Sequence, residues 1–344
     1  MTASGNTPPP GEPPRLPPPP GDPGQPAARG ARPVPIRPLN LGDVLDGAFR
    51  LFAANWRTIV LLTGVFVVPF QLLSAYLQRD LPGLLDLFDL MTDPAAAQRF
   101  AEAGGGGGNL ATLLAIAQGL LVSPLVTGVI AAVVASSYLG GEAGAGEAFS
   151  AGMSRWWALV VSWVVLIVAA VAPPVVAAAV VAGASAGGVP LPVVAVLAIV
   201  LVLAGVCASL AIGSMFSAAA PAIVVEHLGP FQGLARSARL LRPRIFAVVG
   251  TVVVAILLVL VLSLALGGIP QLVGMLIGDR FGWLFIAVGG ILASLVSTPL
   301  FAIVVTLLYF DGRVRREALD LRLAADGLAA RTGDPGATGG HAGR

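Results

Sequence analysis

The sequence predicts an all-α fold, a polytopic integral membrane bundle of six transmembrane helices in three repeats, each led by an amphipathic interfacial helix. The first observation behind this is composition. Of 344 residues, 56% are hydrophobic and 11% are charged, whereas about a quarter of a globular chain is charged. The second is a set of long apolar runs at 58–77, 110–139, 157–182, 192–225, 245–266 and 283–310. Each reaches the roughly 20 residues that cross a hydrocarbon core at about 1.5 Å per residue. The third is recurrence: Ala48 precedes Trp56 by the interval that separates Ala148 from Trp156 and Ala238 from Phe246, and a long apolar run follows each aromatic. A plan repeated at that spacing marks one structural unit used three times.

Residues 1–38 hold half of the prolines, including Pro17 to Pro20 in a row, and little apolar surface. They are expected to form a disordered cytoplasmic tail leaning to polyproline II, and no apolar stretch of signal-peptide type follows the start. The membrane domain then runs over 39–323, with a second disordered tail at 324–344. Its first element is a helix from Leu41. Leu41, Val44, Leu45, Ala48, Phe49, Leu51 and Phe52 share one face, opposite Asp43, Asp46 and Arg50. Asn40 is placed to cap this helix, with Asp43 three residues on. Trp56 and Arg57 close it at headgroup level.

After the first span, the segment Arg79 to Glu102 reads as an acidic surface helix, and Gly104 to Gly108 as a flexible joint. A phosphate loop is excluded there by the lack of the Lys and Ser/Thr that such a loop requires. The second, fourth and sixth runs exceed one crossing and must tilt, kink or extend. Pro124, Pro173, Pro174, Pro221 and Pro299 are the expected kink points.

Orientation follows from arginine. The chain has 20 Lys plus Arg residues, all of them Arg; with the N-terminus inside, seventeen lie on cytoplasmic segments and only Arg79, Arg99 and Arg280 opposite. Such a bias places both termini in the cytoplasm of a bacterial cell membrane. A net charge of +2 gives no support to a nucleic-acid partner.

No ionisable residue stands at membrane depth within the six runs, where one would mark a catalytic or coupling site. Gln71 and Gln118 are the candidate intramembrane polar contacts, best read as hydrogen bonds between helices. Glu226 and His227 are adjacent at the end of the fourth run. His341 is the only other histidine, so no three-ligand metal site forms, and Cys207 is the single cysteine. His227, Gly229 and Pro230 serve instead as a helix stop. Arg236, Arg239, Arg242 and Arg244 are the candidate lipid-headgroup contacts, with Leu234, Leu240 and Leu241 expected to face lipid. No cofactor is expected.

Two end motifs carry a family resemblance. Arg37-Pro38-Leu39-Asn40-Leu41-Gly42-Asp43-Val44-Leu45-Asp46-Gly47-Ala48-Phe49 and Tyr309-Phe310-Asp311-Gly312-Arg313-Val314-Arg315-Arg316-Glu317-Ala318-Leu319-Asp320-Leu321 resemble the glycerophosphoryl diester phosphodiesterase membrane domain of actinobacterial multi-pass proteins, a domain of unknown function. The resemblance implies a six-helix integral membrane domain, in some relatives fused to a phosphodiesterase. That enzyme needs a soluble barrel with metal-binding acids and paired histidines, which this chain has neither the length nor the residues to supply. The expected role is therefore non-enzymatic: a membrane scaffold or accessory subunit acting on anionic inner-leaflet lipid and on a membrane-protein partner. The alternative is a transporter or channel for a lipid or small amphiphile.

Overall fold

The structure, a computed structural model, describes residues 39–77, 113–139 apart from 115, 144–277 and 281–318. The expected acidic helix at 79–102, the glycine joint and both tails lie outside the described residues. Every described element is helical. Six stretches are long and apolar enough to cross a membrane: Trp56–Leu77, Gln118–Tyr138, Trp156–Ala186, Leu191–Val225, Pro230–Ile277 and Gly282–Glu317. That is the make-up of a multi-pass membrane protein.

Helix α1 (Leu41–Ala54) starts at Asn40, whose extended backbone forms a capping box with Asp43; the Asn40 N–H donates to Asp43 Oδ2 at 3.1 Å. A single residue, Asn55, separates it from α2 (Trp56–Leu77). The Asn55 side chain donates to Leu51 O at 3.1 Å and accepts from the Ser137 hydroxyl at 3.2 Å, which fixes the bend against the next long helix. That helix, already helical at 113–117 apart from 115, passes through a π-helical turn, Gln118–Val122, and continues as α3 (Ser123–Leu139). The wide turn directly precedes Pro124, so the proline enters where a regular N–H bond is already interrupted.

Helix α4 (Ala145–Ser154) meets α5 (Trp156–Ala186) through Arg155 alone. The exposed turn after α5 leads to α6 (Leu191–Phe216). The expected fourth run is not one helix: it breaks at Ser217 and Ala218 and resumes as α7 (Ala219–Val225). His227 ends α7 with φ 54°, and the Leu228 N–H reaches Ile223 O at 3.2 Å, the 6→1 bond of a Schellman closure. Helix α8 (Pro230–Leu241) passes through a 3₁₀ turn, Arg242–Arg244, into α9 (Ile245–Ile277), and α10 (Gly282–Glu317) closes the described chain.

Several sequence expectations need correction. The fifth run continues to Ile277 instead of stopping at Leu266. Its Gly267 and Gly274 are contact points: a Cβ on Gly267 would lie 2.8 Å from Gly289 O, one on Gly289 would lie 2.7 Å from Gly267 O, and Gly274 faces Gly282 in the same manner. The two backbones touch because neither helix carries a side chain there. Gly282 thus has a specific partner, although glycine spacing in so glycine-rich a chain is expected by chance.

Among the described residues, the prolines inside helices are Pro69, Pro173, Pro174, Pro270 and Pro299. Pro221 falls in the first turn of α7, where no intrahelical bond is lost. Pro174 removes the N–H that would bond Ala170 O, and the Ser209 hydroxyl from α6 donates to that carbonyl at 2.6 Å. One turn away Gly205 lets α6 approach, since a Cβ there would sit 3.2 Å from Pro174 Cα.

Burial is uneven. In their most apolar stretches α10 is 61% and the α3 helix 56% buried, against 6% for α5 and 11% for the run containing α6. Helix α10 is the post around which α1, α2, α3 and α9 gather. The core lies at the end of the bundle where the short helices join. Leu51, Ile59, Ile130, Ile303 and Leu307 are fully buried there, and Tyr138 stacks on Phe310 at 4.4 Å.

Candidate functional site

Charged residues from the end of α7, from α8 and from α10 meet in one cluster at that end. Glu226 caps α7, Arg236 lies midway along α8, and Tyr309, Arg313 and Glu317 occupy successive turns of α10. Arg236 Nε donates to Glu226 Oε2 at 2.8 Å and its terminal nitrogen to Oε1 at 2.9 Å, while the same guanidinium also pairs with Glu317. The Tyr309 hydroxyl donates to Glu226 Oε1 at 2.7 Å. Arg313 Nε donates to Glu317 Oε2 at 3.2 Å, and its NH1 donates to the Tyr309 oxygen at 3.3 Å. Two carboxylates face two guanidiniums, so the charges cancel. With side chains only about a fifth exposed, such a closed set fixes the angle between α8 and α10.

A second cluster ties the front of the chain to its end. Asp311 Oδ1 accepts the Leu39 N–H at 2.7 Å, and its carboxylate accepts Arg315 Nε at 2.8 and 2.9 Å. Arg315 returns a bond to Leu39 O at 2.8 Å, closing a ring across 276 residues. Arg244, from the 3₁₀ turn before α9, reaches Asp311 Oδ2 at 3.3 Å. Among the described residues, one carboxylate of this cluster faces two guanidiniums, which leaves one positive charge in excess.

No family model, curated protein or solved structure matches the chain. Among the described residues, no group of three or more His, Cys, Asp or Glu is arranged to hold a metal.

The four arginines singled out by sequence separate into different environments. Arg236 is engaged by two carboxylates, and Arg244 is half-exposed with one bond to Asp311. Arg239 is exposed, with its Nε on Ala235 O at 3.4 Å, and Arg242 is exposed. A groove of 420 Å³ lined by Glu226, Leu228, Gln232, Arg236 and Arg239 opens beside the first cluster. The expectation that the leucines of α8 face lipid is wrong. Leu234, Leu240 and Leu241 are buried against the protein, because α8 turns its apolar side to α7 and α10. Aromatic residues are exposed in their place: Phe231, Phe246, Trp56, Trp156 and Trp157.

Gln71 donates to the Ser294 hydroxyl at 3.2 Å, linking α2 to α10, and its Oε1 fills the space that a Cβ on Gly290 would need. Gln118 is half-buried at the start of the π-helical turn. His227 is a helix terminator beside the first cluster, whereas Glu226 is its centre.

Sequence reasoning missed Tyr309, Asp311, Arg313, Arg315 and Glu317 as site residues. The signal was present: Tyr309, Arg313 and Glu317 are four apart on one helical face, and Asp311 and Arg315 four apart on another.

Proposed function

We propose that this chain is a non-enzymatic scaffold or accessory subunit of a bacterial cell membrane, acting through anionic lipid and a membrane-protein partner, with both termini in the cytoplasm. The observation that carries the reading is the disposition of charge. Glu226, Arg236, Arg313 and Glu317 are bound to one another at the short-helix end, where they brace the fold. The crossing segments offer hydroxyls and amides that bond neighbouring helices. A stiffened, charged end with exposed tryptophans and phenylalanines suits a surface that meets headgroups and partners.

The three-repeat organisation belongs to this proposal. It is supported by α1–α2, α4–α5 and α8–α9, each a short helix running into a long one, and by the near-identical backbone of the two one-residue bends: Asn55 at φ −119°, ψ 19° and Arg155 at φ −115°, ψ 13°. The third copy departs through Pro243, which replaces the bend by a 3₁₀ turn. The resemblance to the glycerophosphoryl diester phosphodiesterase membrane domain is part of the same reading, and its two motifs meet at Leu39 and Asp311.

One observation favours the transporter alternative. A cavity of 260 Å³ between α3, α5, α6, α9 and α10 is lined by Thr127, Ser209, Ser214 and apolar side chains, and Ser214 Oγ is buried without a hydrogen-bond partner. Purified protein in liposomes separates the two. The scaffold reading expects no movement of a labelled lipid or amphiphile beyond that in protein-free vesicles, and saturable movement overturns it.

A further inference from the structure

We propose a lipid site in which Arg244 holds the phosphate of an anionic phospholipid and the start of α9 receives one of its acyl chains. The proposal rests on the lipid-contact part of the reading above and makes it specific.

A cavity of 340 Å³ lies between the Leu39–Val44 segment, the beginning of α9 and the end of α10. Its two halves differ in chemistry. At one end stand Arg244, Asn40 and Asp311; the other is walled by Ala247, Gly250 and Val254 of α9. Those three positions recur at the spacing of one helix face, and a Cβ on Gly250 would meet nothing within 4 Å, so the wall is smooth and open there. The apolar half lies within a stretch long and apolar enough to be in a bilayer. The polar half lies at the 3₁₀ turn Arg242–Arg244 that leads into α9, where the reading above places headgroups.

Charge selects the occupant. Asp311 is already matched by the Arg315 Nε–H, shared between its two oxygens, and by the Leu39 N–H, so among the described residues the Arg244 guanidinium is the surplus cation. Arg244 uses one nitrogen on Asp311 at 3.3 Å and its side chain is 47% exposed, which leaves donors for a phosphate oxygen. Asn40, on the first short helix, adds a polar group from a different part of the chain. A neutral lipid would leave that positive charge uncompensated.

The test uses the full-length protein in phosphatidylcholine vesicles containing a small fraction of photoreactive phosphatidylglycerol with a diazirine in the acyl chain, followed by peptide mapping. Labelling is expected in 247–254, about fivefold stronger than with photoreactive phosphatidylcholine of the same chains. Arg244→Gln should lower it about fivefold. Gly250→Leu fills the apolar half, touches no charge and should also abolish it, so a folding defect in Arg244→Gln does not decide the result. Inorganic phosphate should not compete; if it displaces the label, the site takes a free anion and the lipid assignment fails. Equal labelling by both lipids, or labelling indifferent to Arg244→Gln and Gly250→Leu, overturns the proposal. Flat labelling together with silence in the transport assay would remove this site alone and leave the scaffold reading standing.

Discussion

Asp311 accepts from Leu39, Arg315 and Arg244 while almost wholly buried, so it joins the first described residues to the last helix through a single carboxylate. Asp311→Ala leaves Arg244, the Arg315 Nε–H and the buried Leu39 N–H without their acceptor. The expected cost is about 3 kcal/mol, read as a lowered unfolding temperature in detergent. Tyr309→Phe removes only one donor to Glu226 and should cost about 1 kcal/mol in the same measurement. Two backbone sites should respond in the opposite direction. His227 at φ 54° and Ala318 at φ 48° occupy the left-handed region that favours glycine. His227→Gly or Ala318→Gly should raise stability by about 0.5–1 kcal/mol. Sequence could place Glu226 and His227 at a helix end, but it could not tell that Glu226 is the hub and His227 the terminator. That distinction depends on where α10 puts Tyr309, and hence on packing between segments more than 80 residues apart.

Among the elements, the α5–α6 hairpin depends on two features that neither helix shows alone: the carbonyl freed by Pro174 and the glycine opposite it. Ser209→Ala should cost about 0.6 kcal/mol, the usual worth of an interhelical hydrogen bond in a membrane. Gly205→Leu should cost about 2 kcal/mol or more, because the added Cβ meets Pro174 backbone at 3.2 Å, which cannot swing aside. Thermal unfolding of both variants checks the order of the two effects. Helix existence was legible from hydropathy alone, since apolar runs of this length have few alternatives. Helix ends were not. The break at Ser217 and the continuation of α9 through Gly267 to Ile277 are decided by which neighbour accepts a glycine face or a freed carbonyl. The orientation of α8 was misread for a related reason. Its leucines satisfy an amphipathic pattern whether they face lipid or protein, and only the position of α10 chooses between them.

For the molecule as a whole, burial is concentrated at one end, where α1, α4 and α8 join the long helices and the ionic clusters sit. The α5–α6 pair is exposed along most of its length. A bilayer supplies the solvent for those exposed aliphatic faces, while the junction end is held by protein contacts. In the proposed topology the three junctions share one side of the membrane and the α5–α6 turn emerges on the other. With Cys207 replaced, single cysteines at Ser150, Ser185 and Thr332 can be exposed to a membrane-impermeant thiol reagent in intact and in permeabilised cells. Ser185→Cys is expected to react in intact cells, and Ser150→Cys and Thr332→Cys only after permeabilisation. Reaction of Ser150→Cys in intact cells, or protection of Ser185→Cys there, would contradict it.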